Sequence, residues 1–359
     1  MTRLSIIRPD QDDLWMRVLH NAYQYDVYDL PAYQALAEDR GDGKAHFFVY
    51  TGDDYFVAVP LLLRPLETQG WMDATSVYGY AGPIASHDAL PERVIQQFGI
   101  ELHSALSDMQ VVTVFSRLHP LMHQRPLLGG LGECRRLGYT IAVDLTLPPD
   151  EQWRGYRENH RRDIKKLEKQ GVTCSLDREY SSLAEFVDVY HATMRRVHAS
   201  PEYFFDQSYF EQLVSKLRPH VHLMIARQGS TVIAGGIFTS CGEIAEYHLG
   251  GTSDAFLQTS PMKLVIDAAR LWANSRHMRL LHLGGGLGAR DDSLFRFKSG
   301  FSDCKKEFFT WQWVLFPERY ARLNASMYLS REQNGHVSES PSFFPEYRAP
   351  ERGSLPLTD

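Results

Sequence analysis

The order of structural signals in this chain occurs twice. Two apolar runs, Phe47 to Tyr50 and Tyr55 to Leu63, flank Thr51-Gly-Asp-Asp54, and two more, Val221 to Arg227 and Thr231 to Thr239, flank Gln228-Gly-Ser230. Each set predicts a hairpin, because strand-forming residues stand on both sides of a glycine turn. The elements after the two hairpins match as well. In the first half come a segment ending Val77-Tyr-Gly-Tyr-Ala-Gly-Pro83, a helix from Pro91 to about Ser107, and strands over Gln110 to Phe115 and Tyr139 to Leu145. In the second half a strand over Glu243 to Leu249 runs into Gly250-Gly-Thr252, and Pro261 opens a helix with Met262, Val265, Ala269 and Trp272 at near-helical spacing. Strands over Leu280 to Leu283 and Glu307 to Phe316 complete that half. Two tandem copies of one α/β unit with mixed sheets are the simplest fold with this order.

The boundary is expected near Leu147-Pro-Pro-Asp150, where two prolines end a strand and Asp150 can cap a helix. This predicts domains over 1–147 and 148–329, with a mobile tail over 330–359 that is rich in Ser, Glu, Pro and Gly. Within the tail, Phe343-Phe-Pro-Glu-Tyr347 is apolar enough to dock. The longest apolar run, Tyr55 to Leu63, contains Pro60 and is too short to span a bilayer, and Met1 to Asp10 lacks the pattern of a secretory signal. A cytoplasmic location is therefore expected. Cys134, Cys174, Cys241 and Cys304 are far apart in sequence and read as free thiols. The net charge of −6 excludes a protein that coats nucleic acid over its whole surface but leaves room for a local basic patch.

One such patch is a predicted helix over Glu151 to Gln170, with Arg154, Arg157, Arg161, Arg162, Lys165, Lys166 and Lys169 against Glu158, Asp163 and Glu168. Arg154, Arg157, Arg161 and Lys165 share a face, while Trp153, Tyr156, His160, Ile164 and Leu167 form the inward stripe. That face suits a polyanion or a phosphate-bearing substrate, and a merely solvated face is the alternative. Near the end of the second half, Arg279-Leu-Leu-His-Leu283 runs into Gly284-Gly-Gly-Leu-Gly288, followed by Phe297-Lys-Ser-Gly-Phe301. A glycine-lined bend beside a lysine can hold an anion or a developing oxyanion.

These motifs, in this order, resemble those of the Fem-type (FemABX) aminoacyl transferases. The basic helix ending at Gly171, the glycine turn and the phenylalanine-lysine pair cover Tyr139 to Phe316 well, and Phe47 to Pro83 matches more loosely. The resemblance implies tandem GNAT domains and transfer of an aminoacyl group from aminoacyl-tRNA to an amine of a peptidoglycan precursor or a small metabolite. It implies Lys298 as the positive charge at the reacting carbonyl, Phe297 as a wall of the site, and Arg161 and Arg162 as phosphate or substrate contacts. Gly285 belongs to the backbone bend, and Tyr78 and Tyr80 to a tyrosine-glycine signature beside the ligand cleft.

His248 and His282, near strand ends beside glycine turns, are candidate proton acceptors, and Tyr247 lies on the same strand as His248. Family sequences commonly place Asp where His282 stands, which leaves the base open among His248, His282, a carboxylate and water. The stretch from Gly251 to Pro261 lacks the glycine pattern with which acyl-CoA enzymes of the superfamily grip a pyrophosphate, and this tilts the donor toward tRNA. An acyl-CoA-dependent N-acyltransferase of polysaccharide or secondary-metabolite assembly is the second reading. A non-catalytic RNA- or phosphate-binding module is the third. No tightly bound cofactor or metal is indicated, since His119/His123 and His220/His222 have no further ligands nearby in sequence. The oligomeric state stays open.

Overall fold

The computed structural model describes residues 3–67, 70–333 and 343–350. The described residues divide into two compact units: residues 3–136 with 309–350, and residues 137–308. Both are mixed α/β units, as the repeat predicts, although the grouping departs from a single cut at 147/148.

In the first unit β1 (Arg3–Ile7), β2 (Lys44–Thr51), β3 (Phe56–Pro65) and β4 (Met72–Thr75) succeed one another antiparallel across the sheet. Helices α1 (Asp12–His20) and α2 (Pro31–Asp39) precede the first hairpin, and the short β5 (Ile84–Ala85) pairs with β3. Helix α3 (Glu92–Asp108) buries Val94, Phe98, Leu102 and Leu106 on one stripe and returns the chain to β6 (Val111–Arg117), parallel to β4. Those aromatic and aliphatic side chains each contribute about 1.5–3 kcal/mol on leaving water.

In the second unit the order across the sheet begins with β7 (Glu133–Asp144), paired through Ile141 to Asp144. After it come β12 (Leu280–Gly284), β11 (Ile244–Thr252), β10 (Thr231–Cys241), β9 (Val221–Gln228) and β8 (Val172–Asp177). Helices α4 (Pro149–Arg154) and α5 (Glu158–Lys169) precede β8, and α6 (Leu183–Arg196) and α7 (Gln207–Lys216) precede β9. Helix α8 (Met262–Ser275) joins β11 to β12, and Val265, Ile266, Ala269 and Ala273 lie in its core with Phe238 and Leu281. The short α9 (Ser293–Lys298) leads to β13 (Lys305–Val314).

The closing strands depart from the repeat. The strand expected to finish the first half, β7, pairs in the second unit with β12, whereas Thr310 to Val314 of β13 pair antiparallel with Arg117 to Thr113 of β6 in the first. Hydrophobic pattern identifies both strands but not their neighbours, since each is flanked by residues that suit either edge.

The tail is also more ordered than its composition implies. Helix α10 (Pro317–Gln333) continues the chain, and residues 343–350 dock on the first unit. The Arg348 guanidinium donates to both carboxylate oxygens of fully buried Asp73, which also accepts from Arg64, and Tyr347 shares a hydrogen bond of 2.7 Å with Thr113. A buried carboxylate needs such partners, and the tail supplies one of them. Residues 334–342 and 351–359, the remainder of the expected mobile tail, lie outside the described residues. Cys134, Cys174 and Cys304 are free thiols, and burial pushes the Cys174 thiol up to about 12.

The helix predicted over Glu151 to Gln170 is two helices. The Arg157 N–H donates to the Gly300 carbonyl, which removes it from an α-helical ladder, and Gly155 and Tyr156 form the break. Tyr156 turns inward, its hydroxyl donating to Asp267. The expected inward stripe holds otherwise, with His160, Ile164 and Leu167 buried.

Candidate active site

The site in the second unit arises from the way two parallel strands part. β11 and β12 pair only over Ile244/Leu280, Ala245/Leu281 and Glu246/His282. Beyond that rung β11 continues to Thr252 against β10 alone, with His248 as the extra residue of a bulge between the Phe238/Tyr247 and Ile237/Leu249 pairs. A bulge re-aims the strand and leaves a wedge at the carboxyl ends of the two strands.

The glycine turn lines the other side of the wedge. Gly284 and Gly288 have φ of 75° and 59°, and a Cβ on Gly286 would lie 2.2 Å from the Arg290 carbonyl oxygen. No other residue fits there. Asp292 holds this turn to α9, with one carboxylate oxygen accepting from the Leu287 N–H and the other capping the helix at the Phe295 N–H, both at 2.8 Å.

Lys298 is buried at the end of α9, and its Nζ donates to the Gly285 carbonyl at 2.8 Å while lying 5.6 Å from the centre of the Tyr247 ring. Burial lowers its ammonium to about 8, partly opposed by the Asp292 carboxylate. Burial likewise raises the Tyr247 phenol and holds His248 down near about 4, so His248 is neutral around pH 7. His282 donates from Nδ1 to the Glu246 carboxylate at 2.8 Å, and both side chains are buried at the last paired rung. The carboxylate fixes the imidazole tautomer, with its proton on Nδ1.

The structure thus brings together Lys298, Tyr247 and Gly285 and places His248 and His282 on the two strands that diverge, whereas the Phe297 ring packs on His160 and Phe301. Arg161 and Arg162 do not join this group. Arg162 is exposed and reaches only Asp163 at 3.3 Å, and the Arg161 guanidinium makes a long contact of 3.5 Å to the Arg154 carbonyl. Arg157, expected on the same basic face, instead binds the turn after α9. Tyr78 and Tyr80 belong to the first unit, where the Tyr33 hydroxyl donates to the Tyr78 carbonyl and the Tyr80 ring packs edge-on to Tyr28 and His119. His119, set aside on sequence for lack of neighbouring ligands, is buried against Asp26 at 3.1 Å. Glu246 and Asp292 escaped the sequence reading. An Asp three residues before an apolar Phe295 is a recoverable capping signal, whereas Glu246 is revealed only by strand register.

Residues 154–299 match the family model described as an acetyltransferase (GNAT) domain. No curated protein matches the sequence. Among solved structures, FemX superposes with a TM-score of 0.67 at 13% identity, covering 89% of this chain and 99% of that one. L-PGS from Bacillus licheniformis gives 0.55 at 13% identity, over 86% and 93% of the two chains. The C-terminal domain of a putative lysylphosphatidylglycerol synthetase from Agrobacterium fabrum gives 0.54 at 13% identity, over 89% and 97%. At such identity these likenesses speak for the fold. Residues 154–299 thus form a GNAT-type acetyltransferase domain, and the chain as a whole shares its fold with FemX and L-PGS.

Proposed function

We propose that the second unit transfers an aminoacyl group from aminoacyl-tRNA to an amine, forming an amide. The observation that carries this reading is the Lys298 ammonium, buried in the wedge and held on the Gly285 carbonyl. The ester carbonyl of the donor enters between the ends of β11 and β12. The neutral acceptor amine attacks its carbon, and the carbonyl oxygen gains the negative charge, which Lys298 stabilises in a water-poor setting. That attack forms the C–N bond; collapse of the tetrahedral intermediate then restores the carbonyl, breaks the C–O bond to the ribose and leaves the ribose oxygen to take up a proton. The amine's own proton passes to His248, to the Glu246/His282 pair or to water. Phe297 walls the site, and Tyr247 presents the face over which the ammonium lies.

Two features favour tRNA over acyl-CoA. At the start of α8, where a CoA pyrophosphate would meet free N–H groups, the Ser260, Lys263 and Leu264 amides already donate to Leu257, Ser260 and Pro261 carbonyls. Arg196 of α6 is likewise engaged, with the Thr252 carbonyl and Asp254. In addition, Arg154, Arg162, Lys165, Lys166 and Lys169 are exposed on and beside α5, a cationic surface on a chain of net charge −6. The acceptor is proposed to be an amine of a cell-wall precursor or a small metabolite. An acyl-CoA N-acyltransferase and a binding module without catalysis are the competing readings.

The test is capture by the purified full chain from a mixed pool of charged tRNA and, separately, from acetyl-CoA at two salt concentrations, with mass spectrometry of the retained material. Selective capture of one aminoacyl-tRNA, weakened by salt, is expected. Retention of CoA alone would move the chain to the second reading. Turnover unchanged by Lys298→Ala would overturn the catalytic one.

A further inference from the structure

We infer that Arg157, the N-cap of α5, and His160, in its first turn, are positioning residues that fix Lys298 in the wedge, and that this part of the basic segment is a clamp and not a phosphate contact. Helix α9 has six residues, too few to hold itself. Asp292 secures its start, and α5 secures its end. The Arg157 guanidinium donates to the Arg296 carbonyl at 2.9 Å and to the Ser299 hydroxyl at 2.8 Å, and its backbone N–H donates to the Gly300 carbonyl at 2.9 Å. The His160 Nε2–H donates to the Phe297 carbonyl at 3.0 Å. Gly300 leaves no slack, because a Cβ there would lie 2.3 Å from His160 Nε2.

These contacts surround Lys298 in sequence without touching its amine, whose hydrogen bond goes to Gly285. The position of Nζ therefore depends on the backbone between Arg296 and Gly300, and α5 sets that backbone. The cation of Arg157 also suits the carbonyl end of α9. Burial holds His160 down to about 4, so it adds no charge beside the ammonium around neutral pH. The other charged or titratable groups facing Lys298 are Asp292 before α9 and Tyr247 on β11.

For its catalytic meaning this inference rests on the role proposed for Lys298, but its test needs no substrate. Isotopic trace acetylation with acetic anhydride, read lysine by lysine by mass spectrometry over a pH series, gives the titration midpoint of Lys298 in the full chain. In Arg157→Ala the released amine regains water, and its midpoint is expected to rise by about one unit, with labelling at fixed low extent several-fold altered. Arg157→Lys, which keeps the charge and one donor, falls between Arg157→Ala and the native chain. Lys216 on α7, far from α5 and α9 in sequence and hydrogen-bonded to Gln212, is the internal control, and its labelling is expected to be unchanged. If Arg157→Ala does not fold, His160→Gln, which retains a donor for Phe297, is compared with His160→Leu, and only the latter is expected to shift Lys298. An unmoved Lys298 midpoint in the folded variants would overturn the inference, as would an equal change in labelling at Lys216. Failure of the proposed function has a different signature, full turnover after Lys298→Ala, which leaves the labelling result standing.

Discussion

Both units contain a parallel pair that parts, and they fill the gap differently. In the first, β4 and β6 pair as far as Thr75/Phe115, and the space beyond is taken by the chain itself. The Ser116 hydroxyl donates to the Ala81 carbonyl at 2.7 Å, the Arg117 N–H donates to the Ser76 hydroxyl, and Gly82 packs on the Gln124 amide. In the second, the corresponding wedge past Glu246/His282 is bordered by glycine backbone and the Lys298 amine. One unit uses its polar groups on itself. The other holds a buried cation beside the opening, and on the proposed reading that difference is why the second unit carries the reaction.

The sharpest way to break this contrast is to remove one group from each wedge. Lys298→Ala is expected to lower turnover by about 10²–10³-fold with the fold retained, as for loss of an oxyanion-stabilising group, measured in the aminoacyl-transfer assay. Ser116→Ala is expected to leave turnover within about twofold and to lower stability by about 1 kcal/mol in denaturant unfolding. A reversed pattern would place the reaction in the first unit.

Stability against pH sharpens the same point. The Lys298 ammonium is lowered to about 8 in the folded chain from 10.5, so between those values the unfolded chain binds more protons. Stability should therefore rise with pH across that window, by on the order of 3 kcal/mol if no other group interferes. The rise should disappear in Lys298→Met. Turnover that uses the ammonium should fall as pH rises through about 8, so the two profiles run in opposite directions.

Glycine substitutions compare the two backbones. Gly286→Ala drives a methyl into the Arg290 carbonyl and Asp292, and should cost about 1–3 kcal/mol together with most turnover. Gly79→Ala, at φ 112° against the Tyr28 ring, should cost at least as much stability in the first unit without a direct effect on the wedge of the second. Smaller again, Arg348→Ala leaves Asp73 with Arg64 alone, an expected loss of about 1–2 kcal/mol detected by thermal unfolding. Arg162→Ala, at an exposed ion pair, should change stability by less than about 0.5 kcal/mol.

Much of the fold was legible because it rests on local signals. The hairpins at Thr51-Gly-Asp-Asp54 and Gln228-Gly-Ser230, the helix after Pro261 and the inward stripe of α5 depend on turn chemistry and periodicity. The repeat pattern assigns nothing to α1, α2, α6 or α7, because these elements have no counterpart in the hairpin-centred order. Strand partners were not legible, nor was the break at Gly155 to Arg157, since both depend on a backbone group meeting a partner far along the chain. The same holds within the site. Lys298 and its glycine turn stood out as a motif, whereas Glu246 owes its place beside His282 to register, and Arg157 owes its contacts to a carbonyl 143 positions away. Helical periodicity assigned Arg157 a solvent face, and tertiary hydrogen bonding overrode it.

The crossed assignment of β7 and β13 has a consequence for synthesis. Partners on β6 and β13 stand between 193 and 201 positions apart, so the first unit cannot complete its sheet until residues beyond Val314 have left the ribosome. Until then the β13-facing edge of β6 exposes unpaired backbone groups, an invitation to wrong pairing that chaperones would have to shield. A truncated product ending before Phe309 would lack every residue that pairs with β6 from that side and would keep this edge open permanently.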